Sequence, residues 1–447
     1  MIYFADLHVH SKFSRATSKD NDLTHLAYWA SVKGLDVLAT GDFTHPLWRN
    51  QIIEDLEEDE HGLYRLRNKL SHSLELPFGK HDVCAARFIL NVEISSIYKK
   101  NGRVRKIHNL VFMPDLSSMI RFCSKLERVG NLNSDGRPIL GLDCKNLLEI
   151  ALESSPYSFL IPAHIWTPWF SLLGANSGFD SVEECFEDLT GYIFALETGL
   201  SSDPDMNRRI SFLDEYTLVS NSDTHSPSKL GREVNIFSGT PSYQSIMESL
   251  KRGGPGCERT KDLATPRATL MASDRFDENV DRFWGTIEFF PEEGKYHWDG
   301  HRRCGVRIDP RSKIHSNDKI CPVCGQHLTI GVLNRVIALS DRPIAAVGPK
   351  SGLFWRMAPL MEVISNAIGS GPGSKKVLEI YKTMVNKLGP ELQILWAYDS
   401  DTLAKLTPAR VLDAIQMMRT GVVKIEPGFD GVYGKVTIEQ RSNGNSA

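Results

Sequence analysis

Nearly every short apolar run in the first half of the chain ends in a residue that can hold a metal ion. Residues 4–14 read FADLHVHSKFS, with His8 and His10 two positions apart. In an extended strand residues i and i+2 share a face, so both imidazoles can aim at one point. Asp42 and His45 close LATGDFTH, Glu93 follows FILNV, and His108 lies within KIHNLVF. His164 closes LIPAH, Glu197 closes IFALE, and Asp223 with His225 close VSNSDTH. A single histidine of this kind is ordinarily a hydrogen-bonded structural residue. A succession of them, opened by H-x-H and closed by D-x-H, is a ligand set of nitrogen and oxygen. It suits Zn²⁺, Mn²⁺ or Fe²⁺, and bridging carboxylates permit two or three ions close together. Such ions make hydroxide from water at neutral pH and neutralise charge on a phosphoryl group. Metal-assisted hydrolysis of a phosphoester is therefore the chemistry these residues predict.

A second group has a different donor type. HRRCGVRIDPRSKIHSNDKICPVCG places His301-x-x-Cys304 sixteen residues before Cys321-x-x-Cys324. Two chelating pairs separated by a loop are the layout of a structural zinc site, which closes a small domain and does no chemistry. His297, His315 and His327 are alternatives to His301 as the fourth ligand. The loop from Arg302 to Lys319 carries six Lys or Arg against two Asp. On a slightly acidic protein that is a local basic surface, either simply solvated or, through residues such as Arg302 and Arg303, in contact with a nucleic-acid backbone. AIGSGPGSKKV adds a Gly-rich turn between two helices, followed by Lys375 and Lys376, that can present amides to a phosphate or be a plain interhelical turn. Trp166, Trp169 and Phe170 follow a ligand histidine in AHIWTPWFSLLG, where aromatics either stack on an extruded base or form a hydrophobic lid.

The elements that must position these groups alternate short β-rich runs with amphipathic stretches over about the first 250 residues. DLTHLAYWASVKG predicts a helix stopped at Gly34, and Ser181 with Glu184 predicts a capping box. Strand, helix, strand in repetition predicts parallel strands with helical crossovers, closing into an α/β barrel whose strand exits gather the ligands on one face. KRGGPGCERT breaks the pattern. The expected domains are a metallo-hydrolase barrel over 1–252, a zinc-binding domain over 253–335 and a helical domain with a short β-like tail over 336–447. The chain has 447 residues, 41% hydrophobic and 24% charged, with a net charge of −3. That describes a globular protein rather than a disordered one, and argues against nonspecific coating of nucleic acid. No run approaches the roughly 18 apolar residues of a membrane span, so no membrane partner is expected. MIYFADLH lacks the basic start of a secretory signal, and the eight cysteines form no disulfide framework. Five of them (Cys84, Cys123, Cys144, Cys185, Cys257) read as small buried hydrophobes. A cytoplasmic monomer is expected.

Over about residues 1–250, DLHVHS, GDFTH, NVEIS, KIHNLV, IPAH and NSDTH resemble, in order, the motifs of the polymerase and histidinol phosphatase (PHP) domain, a distorted (βα)7-like barrel. That resemblance implies that His8, His10, Glu93 and Asp223 surround one ion. Glu93, His108 and His164 would surround a second with Glu93 bridging, and His225 would help to bind a third near Asp42 and His45. The chain departs from the family where Ser14, Arg15 and Ala16 stand, and where Phe43 follows Asp42 and the histidine comes only at His45. Arg15 either offers a positive charge for a substrate phosphate or is an ordinary surface arginine. With the zinc group, the helical C-terminus and the pieces HSKFSRATSK, YHWDGHRRC and PGFDGVYG, nearly the whole chain resembles the endonuclease Q family of DNA repair enzymes. The resemblance implies damaged DNA as partner and cleavage 5′ to deaminated bases (hypoxanthine, uracil, xanthine) and abasic sites. Zn²⁺ would be structural and part of the cluster, Mg²⁺ or Mn²⁺ would support activity, and Asp223, His225, Glu93 and Arg15 would act on the phosphate. A small-molecule phosphoesterase of the histidinol phosphatase type is the rival reading, but it leaves about 200 C-terminal residues without a task. The tail EQRSNGNSA has no clear sliding-clamp motif, which leaves a replication-clamp partner open.

Overall fold

The opening strand, β1 (Ile2–Asp6), sits at the centre of the largest sheet, with Tyr3, Ala5 and Asp6 buried and Ile2 and Phe4 half-buried against the core. The computed structural model describes residues 1–67, 77–79, 85–256, 265–312 and 319–438. The predicted helix follows as Leu23–Lys33. Asp22 caps it by accepting the His25 N–H, and Gly34, at φ 86°, ends it in the left-handed conformation that glycine adopts without strain. Then come β2 (Val37–Ala39), β3 (Leu56–Glu58), β4 (Tyr64–Leu66) and β5 (Arg87–Ile89). Strands β1, β2 and β5 are parallel, with Ala5 opposite Val37 and Leu38 opposite Phe88, as the strand–helix–strand pattern requires.

The uniformly parallel barrel does not extend beyond this. Strands β6 (Asn91–Lys100) and β7 (Arg103–Phe112) are two long antiparallel partners joined by Asn101-Gly102, at φ 52° and 71°. An Asn-Gly pair with both residues at positive φ makes a tight hairpin turn, so no helical crossover intervenes. Strands β8 (Ile139–Leu140) and β9 (Phe159–Pro162) complete a four-stranded sheet in the order β8-β6-β7-β9. Strands β10 (Ala195–Glu197) and β11 (Thr217–Val219) pair in parallel. After these, β12 (Val234–Ser238) runs antiparallel to β1, and β13 (Arg282–Glu288) antiparallel to β12. The capping box at Ser181 is realised in part: its Oγ accepts the Glu184 N–H at 3.3 Å, but the helix Glu183–Phe186 lasts one turn.

Both expected domain boundaries are crossed by the large sheet. β14 (Asp299–His301) and β15 (Val306–Ile308) form a separate hairpin, whereas β16 (Leu353–Arg356) pairs in parallel with β13. The order is β16-β13-β12-β1-β2-β5-β4-β3, so residues beyond 252 and beyond 335 each add a strand to the sheet that contains β1. The main hydrophobic core likewise runs from Tyr3 through Trp284 and Val336 to Ile415. Ile308, Cys321 and Leu328 form a small core of their own. The C-terminal part is helical as expected, with Leu360–Ile368, Lys375–Leu388 and Ala409–Arg419. No helix among the described residues is long and apolar enough to cross a membrane.

Candidate metal centre

The first and last ligand-bearing segments are stitched together directly. Val9 bridges Thr224 in parallel, and the His10 N–H donates to the Thr224 carbonyl at 3.2 Å. His8 and His10 are fully buried, with ring centroids 5.2 Å apart. Ligand atoms of His8, His10 and Asp223 lie within 4.8 Å of one another, and so do those of Glu93, His108 and His164. The β6–β7 register explains part of the second group. Glu93 faces Leu110 and Ser95 faces His108, which puts Glu93 and His108 on one face as diagonal neighbours. Glu93 also links the two groups. Its Oε2 is 3.3 Å from His10 Nε2 and 3.7 Å from His8 Nε2, while its Oε1 is 2.7 Å from His108 Nδ1 and 3.1 Å from His164 Nε2.

Other carboxylates hold the histidines from behind. Glu197 accepts from His8 Nδ1 at 3.0 and 3.1 Å and from the His164 backbone N–H at 2.7 Å, and Asn221 donates to it at 2.8 Å. Asp42 takes the same role for His10: its Oδ1 accepts from His10 Nδ1 at 3.1 Å. Its Oδ2 accepts from the Ser11 N–H, the Ser11 hydroxyl and the Ser14 hydroxyl at 2.6, 2.7 and 2.8 Å. Its lone pairs are thus occupied, and Asp42 stands behind His10 rather than among the ligand atoms. A carboxylate only accepts, so Nδ1 carries the proton in both rings and each Nε2 points toward Glu93 and Asp223. The His8 Nε2 atom is buried without a hydrogen-bond partner.

Electrostatics agree with a cation at this point. Burial disfavours a charged His8, but Glu197, Asp223 and Glu93 outweigh it and hold the imidazole well above its ordinary range. Burial likewise opposes charge on Glu93, yet His108, Arg137 and His8 keep its carboxyl well below the usual carboxylate range. Desolvation draws His108 down to about 4 against the pull of Glu93, which leaves its ring neutral and free to ligate. A site that wants positive charge, has an unpartnered inward nitrogen and offers only N and O donors fits divalent metal ions. Asp42, His164 and Asp223 adopt φ of 48°, 30° and 45°. Such strain costs of order 1–3 kcal/mol per residue and gathers at functional sites.

The remaining expected residues fall elsewhere. His45 stacks on Phe13 at 4.4 Å, outside both groups. His225 lies beside His10 at 4.7 Å, with its Nδ1 2.9 Å from the Asp223 carbonyl oxygen, but it is outside the groups as well. Arg15 is at the rim, its side chain 76% exposed and its Nε 3.3 Å from Asp135. Trp166 is no stacking surface: it is buried, and its indole N–H donates to Asn207 at 2.7 Å. Trp169 is exposed and packs edge-on against Tyr296, and Phe170 lies 4.8 Å from the His108 ring. The structure adds Arg137, whose Nη1 donates to Glu93 Oε2 at 3.0 Å. Its sequence context, NSDGRPIL, carries no motif that marks it.

In the second group, His301, Cys304, Cys321 and Cys324 bring their ligand atoms within 4.8 Å of one another. Donors placed about 2.0–2.3 Å from a tetrahedral zinc lie roughly that close together. Of the alternatives to His301, His297 and His327 stand outside the group, and His315 lies outside the described residues. Against its desolvation, the Val323 and Cys324 backbone amides draw the Cys321 thiol down to about 7, toward the thiolate a metal needs. Arg302 and Arg303 are exposed beside it, and so are Lys375 and Lys376 at the start of their helix. Cys123, Cys144 and Cys185 are buried, as expected, while Cys84, Cys257 and the tail from 439 lie outside the described residues.

Strand exits that gather histidines and carboxylates around one buried point form a candidate metal centre of the hydrolase type, and known proteins carry the same overall fold. The crystal structure of the lesion-specific endonuclease PfuEndoQ from Pyrococcus furiosus matches with a TM-score of 0.79 and 28% identity, over 98% of this chain and 96% of that one. A structure of endonuclease Q in complex with a 27-mer duplex bearing an abasic lesion at the active site matches with the same TM-score and identity, over 98% and 97% of the two chains. The likeness extends over nearly the whole chain and supports an assignment to the endonuclease Q family. Residues 359–422 match the family model of the MJ0043 C-terminal domain. The Methanocaldococcus jannaschii protein MJ0043 is 31% identical over 302 residues, which are 65% of this chain. The match spans about a third (34%) of that relative's length.

Proposed function

We propose that the chain is a metal-dependent DNA repair endonuclease that hydrolyses the phosphodiester 5′ to deaminated bases and abasic sites. The products would be a 3′ hydroxyl and a 5′ phosphate. The observation that carries this reading is the pair of ligand groups joined through Glu93, in a chain similar to endonuclease Q along its whole length. His8, His10, Asp223 and Glu93 would hold one ion, and Glu93, His108 and His164 a second. Such ions, Zn²⁺ with Mg²⁺ or Mn²⁺, would supply a Lewis acid and a nucleophilic hydroxide at neutral pH. The chain's own residues do the rest. Glu197 and Asp42 fix the tautomers of His8 and His10, and the neutral His108 keeps its lone pair available. Trp169 and Phe170, at the mouth, offer faces for a nucleotide turned out of the duplex, which costs least at a damaged pair. The exposed Arg302, Arg303, Lys375 and Lys376 supply charge for the backbone. In this reading the N-terminal sheets are the PHP-type barrel and His301, Cys304, Cys321 and Cys324 hold a structural zinc.

The test is nicking of end-labelled duplexes that carry one uracil, one hypoxanthine, one abasic site or no lesion, with Mg²⁺, Mn²⁺ or EDTA. Cuts only 5′ to the lesion, lost in EDTA and in Asp223→Asn while that variant still binds the duplex, are expected. Release of phosphate from small esters without any nicking would assign the site to a small-molecule phosphoesterase instead.

A further inference from the structure

The segment Asp135–Arg137 enters the metal centre from outside the strand exits, and its contacts are built for that purpose. The Asp135 carboxylate accepts the backbone N–H of Arg15 at 3.3 Å and that of Arg137 at 3.1 Å, and its Oδ2 lies 3.3 Å from Arg15 Nε. The Gly136 N–H donates to the Phe13 carbonyl at 3.0 Å. A Cβ at Gly136 would sit 2.3 Å from Asp42 Oδ2 and 2.6 Å from Ser14 Oγ, so only glycine lets the segment press against the carboxylate that aligns His10. Arg137 is thereby delivered to Glu93, where its Nη1 donates at 3.0 Å. Its other side-chain N–H groups have no partner among the described residues, and 24% of the side chain is open to solvent.

Charge explains why a guanidinium is out of place there unless an anion joins it. Glu197 and Asp42 are engaged by His8 and His10, which leaves Glu93 and Asp223 as the carboxylates facing the ligand groups. Two divalent ions would bring twice the positive charge that those two neutralise. Arg137 is then not needed as a counter-ion and adds to a field that an anion must balance. We propose that Arg137 is a catalytic residue: anchored through one N–H on Glu93, it gives its remaining N–H groups to a non-bridging oxygen of the scissile phosphodiester. This rests on the endonuclease reading. In the hydrolysis, the oxygen of water forms a new bond to phosphorus and the P–O3′ bond breaks. One proton of that water ends on the 3′ hydroxyl, and the other leaves with the 5′ phosphate or the solvent. Charge builds on the non-bridging oxygens meanwhile, and Arg137, protonated throughout, meets it in a site largely closed to water.

The experiment compares the full-length protein with Arg137→Ala and Arg137→Lys in Mn²⁺. It measures single-turnover cleavage of a lesion duplex, duplex affinity by fluorescence anisotropy, and bound metal by mass spectrometry. The single-turnover rate should fall by about 10²- to 10³-fold in Arg137→Ala, as for loss of one preorganised donor. Metal content should hold, affinity should change only a few-fold, and added guanidinium should restore part of the rate. Cleavage by Arg137→Ala within threefold of the wild type would overturn the proposal. So would loss of bound metal without guanidinium rescue, which would make Arg137 a support for Glu93 only. If the wild type cuts no duplex, the endonuclease reading fails, and the same comparison on bis(p-nitrophenyl) phosphate still tests Arg137. An unchanged rate on that ester, or no turnover of it by the wild type, overturns the arginine as well.

Discussion

A histidine serves as a ligand only if one nitrogen is committed elsewhere, and here the commitment is visible residue by residue. Glu197 takes the Nδ1 proton of His8 and Asp42 that of His10. These two carboxylates were countable in the sequence as strand-end acids, but parity along a strand reports a face and says nothing about depth. Glu197 therefore reads like a ligand until its four contacts are seen. Substituting Glu197→Gln keeps the volume and removes the charge. The variant should bind Mn²⁺ about 10- to 100-fold more weakly, as for other loss of a histidine's outer partner, with the fold retained. Calorimetric titration checks this, and equal affinity would show that Glu197 does not align His8. His8, His10, Glu93, His108, His164 and Asp223 were all legible because each type and spacing carries its chemistry. Arg137 was not, since it reaches the centre through a loop whose path depends on the tight approach at Gly136.

Between elements, buried charge does the joining. Lys33, at the end of the first helix, lies 2.7 Å from Glu391, and both side chains are almost completely buried. Glu391 also accepts the Tyr381 hydroxyl at 2.7 Å and the Leu360 N–H at 3.1 Å, which ties the N-terminal part to the C-terminal helices. Lys33→Met leaves that carboxylate buried without its cation, and should cost about 3–5 kcal/mol in urea unfolding. Lys33→Met with Glu391→Gln should recover much of the loss. If the single variant unfolds like the wild type, the pair does not hold these parts together. A second buried carboxyl gives a pH signature. Burial pushes Glu288 up to about 8 from an ordinary 4.5, and burial together with Glu288 pushes the neighbouring buried Glu233 up as well, although Thr286, Ser220 and Thr198 hydroxyls donate to Glu288. The folded chain thus keeps a proton that the unfolded chain has lost, so this contribution is complete below about pH 4.5 and disappears as pH rises through about 8. Glu288→Gln should flatten the fall in melting temperature between those limits, and parallel curves would contradict it. Element order was only partly readable. KNG between two alternating runs signals a hairpin, yet strand–helix–strand repetition elsewhere favours a uniformly parallel reading that the β6–β7 turn breaks.

At the scale of the whole molecule, the expected division into three domains becomes one main core and one small one. Composition breaks such as KRGGPG mark loops, but a loop need not end a sheet, and β13 and β16 return to the sheet of β1 from beyond both expected boundaries. Among the described residues only the cysteine-rich segment packs apart: Ile308, Cys321 and Leu328 make a core too small to fold without help. On the proposed reading, the ion that His301, Cys304, Cys321 and Cys324 would hold supplies that help, because binding free energy in such modules is folding free energy. Asp299 and Arg335 link it to the rest, with Asp299 accepting the Gly331 N–H at 2.6 Å and Arg335 Nε donating to the Leu173 carbonyl at 2.9 Å. Cys321→Ser should therefore remove one zinc per chain and open residues near 300–329 to hydrogen exchange. The main melting transition, set by a core it does not belong to, should move by less than about 2 °C, below the shift roughly 1 kcal/mol produces in a domain of 150–250 residues. Cleavage of single-stranded lesion DNA should persist, while affinity for duplex should drop along with the displaced Arg302 and Arg303. A collapse of the main transition together with loss of catalysis would instead make the zinc module part of the common core, and the separation of the two cores would carry no mechanical meaning.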